Sequence, residues 1–161
     1  MGPFSYLEPM QDSDLSWVLS VERRSYDFPW SLRGFENSLE QGLNYIFRNA
    51  EGGRLGYCCI LPVLDEAHIL NICVAPEFQG KGVARSALDK IFAKLQEGVY
   101  QIVLLEVRQS NQPAEQLYRS LGFSHDGVRK NYYRANVWDD SLMELVEDRE
   151  DAILMSRSLK N

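Results

Sequence analysis

The segment Leu70–Leu95, LNICVAPEFQGKGVARSALDKIFAKL, constrains the chain most. Leu70 to Val74 is apolar and β-prone, and the stretch from Ala75 to Lys81 contains a proline and a glycine. From Gly82 onward, Ala84, Ala87, Leu88, Ile91, Phe92 and Leu95 fall on one helical face. The expected order is strand, glycine-containing turn, helix. The first turn of a helix has backbone N–H groups with no intrahelical acceptor, so such a turn can cradle an anion. Gly80 and Gly82 remove the Cβ atoms that would keep a ligand from the backbone, Ala84 is small, and Lys81 can add positive charge. Two glycines before a helix also suit a purely structural turn. The spacing matches neither a Walker A loop nor a G-x-G-x-x-G dinucleotide turn.

The rest of the chain supplies the frame. Phe4 to Met10 reads as a first strand, and Asp12 or Ser13 as the cap of a helix carrying Leu15, Val18 and Leu19. Ser31 caps a second helix bearing Leu32, Phe35 and Leu39, which Gly42 ends. Strands are expected over 43–48 and 55–64 around the turn Glu51-Gly52-Gly53, and over 67–74. The long helix ends near Gly98. The run QIVLLEV, 101–107, reads as a central strand covered on both faces. Asn111 starts a helix with Ala114, Leu117, Tyr118 and Leu121 on one side, and Gly122 stops it. Residues 123–136 and 152–159 read as closing strands. Between them, 137–151 holds seven acidic residues against Arg149 alone. It reads as a solvated charged excursion, a loop or a short helix. The expectation is a single α/β domain (α+β type) over residues 1–161, with a mixed sheet and helices on both faces.

The net charge of -6 argues against a general nucleic-acid-binding role and suits either a basic partner or simple solubility. Cys58, Cys59 and Cys73 lie in apolar runs, His68 and His125 are far apart, and no metal-ligand spacing appears. Buried free thiols in a reducing, cytoplasmic setting are expected, with no metal. No run is long enough to span a membrane, and no signal peptide is evident.

Gln79, Gly82 and Ala84 fill the Gln/Arg-x-x-Gly-x-Gly/Ala signature of motif A of the GCN5-related N-acetyltransferases, the GNAT family. Phe28-Pro29-Trp30-Ser31, Leu70 to Val74, Leu105-Glu106-Val107-Arg108, Ser110-Asn111, Leu117-Tyr118, Leu121-Gly122-Phe123, Arg129 to Tyr133 and Glu150-Asp151-Ala152 occur in the same order as in the bacterial ribosomal-protein-alanine N-acetyltransferases. The chain thus resembles this branch, the RimI group, over nearly its whole length.

The resemblance implies the GNAT fold, a mostly antiparallel sheet of about seven strands, and acetyl-CoA as donor. Backbone groups of Ile72, Cys73 and Val74 would hold the pantetheine arm. Those of Gln79, Gly80, Lys81, Gly82, Val83 and Ala84 would hold the pyrophosphate. Glu106 corresponds to the general base; its alternative is a rim residue paired with Arg108. Tyr118 corresponds to the general acid, a phenol able to protonate the leaving thiolate; its alternative is a packing tyrosine. Asn111 corresponds to a cofactor contact, or caps its helix, or does both at different atoms. Trp30, Tyr132 and Tyr133 are candidate acceptor-site walls. Strand alternation lets at most one of the two tyrosines face the cleft, and the alternative for both is sheet packing. The implied acceptor is a basic protein N-terminus, foremost the N-terminal alanine of ribosomal protein S18. The resemblance departs at the acidic segment from Asp139 to Asp151, which is longer than its counterpart in that branch. Rival readings are acetylation of another terminus, a lysine or a small amine, and a non-catalytic acetyl-CoA sensor.

Overall fold

The computed structural model describes residues 2–160. Its elements are β1 (Tyr6–Pro9), α1 (Leu15–Ser25), α2 (Leu32–Gln41), β2 (Leu43–Arg48), β3 (Arg54–Val63), β4 (Glu66–Val74), α3 (Val83–Gln96), β5 (Ile102–Arg108), α4 (Gln112–Ser120), β6 (Ser124–Asp139) and β7 (Glu144–Ser158), with short 3-10 turns before α1 and α3. The seven strands form one sheet in the order β1-β2-β3-β4-β5-β7-β6. Among the described residues there are two compact units, one running through Val103 and resuming at Ser158, the other Leu104–Arg157.

In the first unit β1 to β4 form an antiparallel meander. One face presents Ile46, Tyr57, Cys59 and Cys73 to Leu15, Val18 and Val21 of α1 and Phe35 of α2. The alternate residue Tyr45 faces the other way, where Lys94 of α3 lies 5.9 Å from its ring centroid. Helices therefore cover both faces of this part of the sheet. Ser31 caps α2, its Oγ accepting from Gly34 N at 3.2 Å. The cap of α1 differs from the sequence expectation. Asp12 and Ser13 lie in a 3-10 turn, and the capping position is Asp14, which makes no side-chain bond to the helix. Its buried carboxylate instead accepts from Gln11 N (2.8 Å) and pairs with Arg54 (3.0 Å) and Arg48 (3.4 Å).

In the second unit the end of β5 precedes α4, and β6 and β7 form a long antiparallel hairpin. Gly122, at φ +94, follows the α4 cap. Gly122 N donates to Arg119 O (3.0 Å) and Phe123 N to Tyr118 O (3.0 Å), closing the helix in a Schellman arrangement. The accompanying apolar contact is the edge-on meeting of the Tyr118 and Phe123 rings, 5.7 Å between centroids. Two sequence expectations change here. Strand β5 is buried only at Val103, Leu105 and Val107, while Ile102, Leu104, Glu106 and Arg108 on its other face are half-buried. Residues 137–151 are neither loop nor helix. They are the outer half of the hairpin, with Val137 opposite Val146, Trp138 opposite Leu145 and Asp139 opposite Glu144. The turn between the strands is short and is held by Asp139, whose Oδ1 accepts from Ser141 N, Ser141 Oγ and Leu142 N.

Candidate active site

The motif A residues lie together in the first unit. Ile72, Cys73 and Val74 end β4, paired with Cys58, Tyr57 and Gly56 of β3. A Cβ at Gly56 would stand 2.4 Å from Cys73 O, so glycine permits the strands' approach. Gln79 has a mechanical role that the motif does not disclose: its Nε2 donates to Val74 O at 3.0 Å, tying the turn to the strand end. Gly80 (φ +75) and Gly82 (φ +77) adopt left-handed backbone, and a Cβ built on either meets no atom within 4 Å. They are glycine because of backbone conformation, and the space beside them is open. Gly82 is the N-cap of α3. Val83 buries its side chain as the first helical residue, so what it can offer a ligand is its backbone; Lys81 is exposed, 6.0 Å from the Phe78 ring centroid. A positively polarised helix start beside an open, glycine-lined turn fits a pyrophosphate. Gln79, Gly80, Lys81, Gly82, Val83 and Ala84 are the residues that would hold it.

Beside β4 lie groups that local sequence does not single out. Glu22 of α1 is 2% exposed. Its Oε1 accepts from the Tyr57 hydroxyl (2.6 Å) and Asn71 Nδ2 (3.0 Å), and its Oε2 from Trp30 N (2.9 Å). One carboxylate thus joins α1, β3, β4 and the connection carrying Trp30. The Trp30 ring rests 5.1 Å from that of Phe35. The Tyr26 hydroxyl donates to Ile72 O at 3.0 Å. Only the clustering of polar groups in the folded unit reveals Glu22 and Tyr26. Burial, with the neighbouring Glu22 carboxylate adding to it, pushes the Tyr57 hydroxyl far above its ordinary range, so Tyr57 is a permanent donor. Burial likewise raises the Cys73 thiol, and all three cysteines are free and buried.

The second unit gathers Glu106, Tyr132 and Tyr133. Glu106 Oε1 pairs with Arg129 Nη2 at 3.4 Å, not with Arg108 as its rim alternative expected. Arg108 instead reaches Glu150 Oε2 (3.6 Å) and donates to Arg134 O (2.7 Å). The reason is the hairpin, which carries Arg129 and Glu150 to the end of β5; nothing within β5 itself signals this. The guanidinium of Arg108 lies 4.5 Å from the Tyr133 ring centroid and that of Arg129 4.6 Å from Tyr132. The two tyrosine rings meet edge-on at 5.0 Å. Strand alternation fails here because of a bulge. The register moves from Arg129 opposite Ala152 to Tyr133 opposite Glu150, and Asn131 takes φ +52. Asn131 N donates to Asp151 Oδ1 at 2.9 Å, fixing the bulge. Both tyrosines consequently belong to one cluster. Burial first, then the negative charge of Glu106, pushes the Tyr133 phenol up to about 12.

Tyr118 is buried on α4 against Phe123. Asn111 is the α4 cap, Oδ1 accepting from Ala114 N at 3.3 Å, with its backbone N donating to Arg108 O at 2.9 Å. The cap uses one acceptor and leaves the amide nitrogen for another task. Among the described residues no three His, Cys, Asp or Glu side chains are grouped to hold a metal, and no helix is long and apolar enough to cross a membrane.

Comparison with known proteins bears on these two groups of residues. The acetyltransferase (GNAT) family model matches residues 7–123. The [ribosomal protein bS18]-alanine N-acetyltransferase of Escherichia coli K12 is 34% identical over 152 residues, covering 93% of this chain and 95% of that protein. A putative enzyme of the same description from Bacillus subtilis is 33% identical, covering 83% and 90%. The crystal structure of the Escherichia coli ribosomal-protein-S18-alanine N-acetyltransferase superposes with a TM-score of 0.83 at 31% identity, covering 97% of this chain and 94% of that one. Spermidine N-acetyltransferase from Vibrio cholerae, solved with CoA and spermine, shares the fold at a TM-score of 0.76 and 18% identity. The chain belongs to the GNAT acetyltransferase family, within the group of the ribosomal-protein-alanine N-acetyltransferases.

Proposed function

We propose that this chain acts as one acetyltransferase domain. It moves the acetyl group of acetyl-CoA directly onto the N-terminal α-amine of a protein, foremost the N-terminal alanine of ribosomal protein S18. The observation that carries the acceptor assignment is 34% identity to an S18-alanine N-acetyltransferase across 93% of the chain. The donor assignment is supported by the open glycine turn at the start of α3. Backbone groups of Ile72, Cys73 and Val74 bind the pantetheine arm, and Gln79 to Ala84 bind the pyrophosphate. Asn111 adds a side-chain contact through its amide nitrogen.

Acetyl-CoA brings an activated acyl thioester; the chain's residues bind the reactants and move protons. The amine must be neutral to attack, and Glu106 takes its proton directly or through a water. Its ion pair with Arg129 fixes the carboxylate's direction through Oε1. Tyr118 donates its phenolic proton to the departing thiolate. The Schellman closure of α4 and the Phe123 ring hold Tyr118 in one place, so the donor needs no reorganisation during the step. Trp30, Tyr132 and Tyr133 are the residues assigned to the acceptor peptide. The cytoplasm is the compartment that suits three free thiols and a ribosomal acceptor.

Thiol release from acetyl-CoA tests the reading. An alanine-first basic peptide supports release, and the same peptide with a blocked terminus does not. Equal release with the blocked peptide or with a polyamine alone contradicts the assignment. Tight acetyl-CoA binding with no transfer to any acceptor assigns a sensor instead.

A further inference from the structure

The hairpin of β6 and β7 sorts its charge by face. Directly opposed residues of an antiparallel pair share a face, and successive pairs alternate. One face carries Tyr133 with Glu150, Ala135 with Asp148, Val137 with Val146, and Asp139 with Glu144. The opposite face carries Arg134 with Arg149, Asn136 with Glu147, and Trp138 with Leu145. Both arginines of this stretch therefore lie on the second face, where Arg134 pairs with Glu147 at 2.7 Å. Among these described pairs the first face has four carboxylates and no cation of its own. Of these, Glu150 is engaged by Arg108 and Ser110 beside the tyrosine cluster, while Glu144 and Asp148 are exposed. Asp139 is held below the usual carboxylate range by the Ser141 hydroxyl and the Leu142 amide, so it stays charged. Val137, at the centre, is 42% exposed. The six steps from Tyr133 to Asp139 extend about 20 Å at the rise of a strand.

We propose that this acidic face is a docking strip for the basic stretch that follows the acetylated residue of the acceptor polypeptide. The inference rests on the acetyltransferase reading above and deepens it. Two observations select this occupant. The strip is continuous with the candidate site, because Tyr133 at its inner end lies under the guanidinium of Arg108 and feels the charge of Glu106. Its charge complements an extended cationic chain, whereas a second copy of this acidic protein would oppose it. Solubility alone does not require the two signs to be segregated by face. Val137, exposed between the buried Ala135 and the half-buried Val146, gives the aliphatic stems of lysine and arginine a surface to lie on.

The test uses two alanine-first peptides that share their first few residues. One carries lysine and arginine further along; the other carries glutamine there. Wild type is compared with the combined variant Asp139→Asn, Glu144→Gln, Asp148→Asn. The amide that replaces the Asp139 carboxylate keeps an oxygen for Ser141 and Leu142, so the turn is retained. Each carboxylate contributes about twofold, so the three together raise KM for the basic peptide about eightfold on neutralisation. The kcat and the KM for the glutamine peptide stay at the wild-type values. In the wild type, added salt shrinks the preference for the basic peptide. An unchanged preference in the variant overturns the proposal. So does self-association in sedimentation velocity that the variant abolishes, which assigns the strip to a second copy. If wild type acetylates neither peptide, the acetyltransferase reading fails. Anisotropy of the labelled basic peptide then decides the strip separately: weaker binding to the variant supports it, and equal or absent binding overturns it.

Discussion

Replacing Glu22 by alanine removes the acceptor of three donors at once: Trp30 N at 2.9 Å, the Tyr57 hydroxyl at 2.6 Å and Asn71 Nδ2 at 3.0 Å. Tyr57 is fully buried, so its hydroxyl cannot turn to bulk water. Trp30 and Asn71 are half-buried, so their loss is partly relieved by solvent. An unsatisfied buried donor costs about 1–3 kcal/mol, and discounting the two half-buried groups gives a loss of about 4 kcal/mol. For a chain of this size that corresponds to a fall in Tm of about 8–16 °C. Glu22→Gln costs about 1–2 kcal/mol, because one amide oxygen remains and Asn71 can turn its own oxygen to meet the new NH2. Urea unfolding of the three proteins, at equal m-value, measures the series. A loss below about 1 kcal/mol for Glu22→Ala would mean that the donors have found other acceptors and that Glu22 is not what satisfies them. The same variant releases the backbone of Trp30, so in the folded fraction the acceptor KM rises more than kcat falls.

Three further outcomes follow from the geometry. Gly82→Ala places a Cβ on a φ of +77 with open space around it, so stability falls by about 1 kcal/mol from backbone strain alone, while acetyl-CoA affinity, read by calorimetry, falls further. Cys58, Cys59 and Cys73 are buried with thiols raised above their ordinary range, Cys59 to about 12, so at mildly alkaline pH an aromatic disulfide reagent titrates none of them until denaturant is added. Burial, then the charge of Glu106, pushes the Tyr133 phenol of the folded chain up to about 12, above the unfolded value of ~10. Its neutral form is the favoured one, so the stabilisation is complete below pH ~10 and is lost as the pH rises towards about 12; Tyr133→Phe flattens that part of the urea-midpoint profile.

Local chemistry wrote much of this fold into the sequence. Ser31 and Asn111 were legible as caps because a cap is a contact over three residues, and Gly122 as a stop because its left-handed backbone favours glycine. The turn between β4 and α3 was legible for the same reason, since Gln79, Gly80 and Gly82 act within a few residues of one another; its identity as motif A came from the family resemblance. Contacts made at a distance were not. Glu106 reads as a neighbour of Arg108 in β5, yet the hairpin delivers Arg129 to it across the fold of the second unit. Glu22 is one charged residue among several in α1 until Tyr57, Asn71 and Trp30 are placed around it. Alternation assigned Tyr132 and Tyr133 to opposite faces, and the bulge at Asn131 put them in one cluster. Composition describes the acidic segment only as charged, and the charge hides a pattern of pairing: Val137-Trp138-Asp139 answers Glu144-Leu145-Val146 around an Asp-Ser turn.

Glu106 and Tyr118 are proposed to carry acetyl transfer to an α-amine. Tandem mass spectrometry of an alanine-first peptide that also contains internal lysines tests it most directly, run with wild type, Glu106→Gln and Tyr118→Phe. One acetyl group is expected, on the terminal amine, with turnover reduced by about 100-fold or more in each variant and acetyl-CoA affinity unchanged in Tyr118→Phe. Acetyl groups on the lysines with a free terminus, or wild-type turnover in both variants, would contradict the assignment.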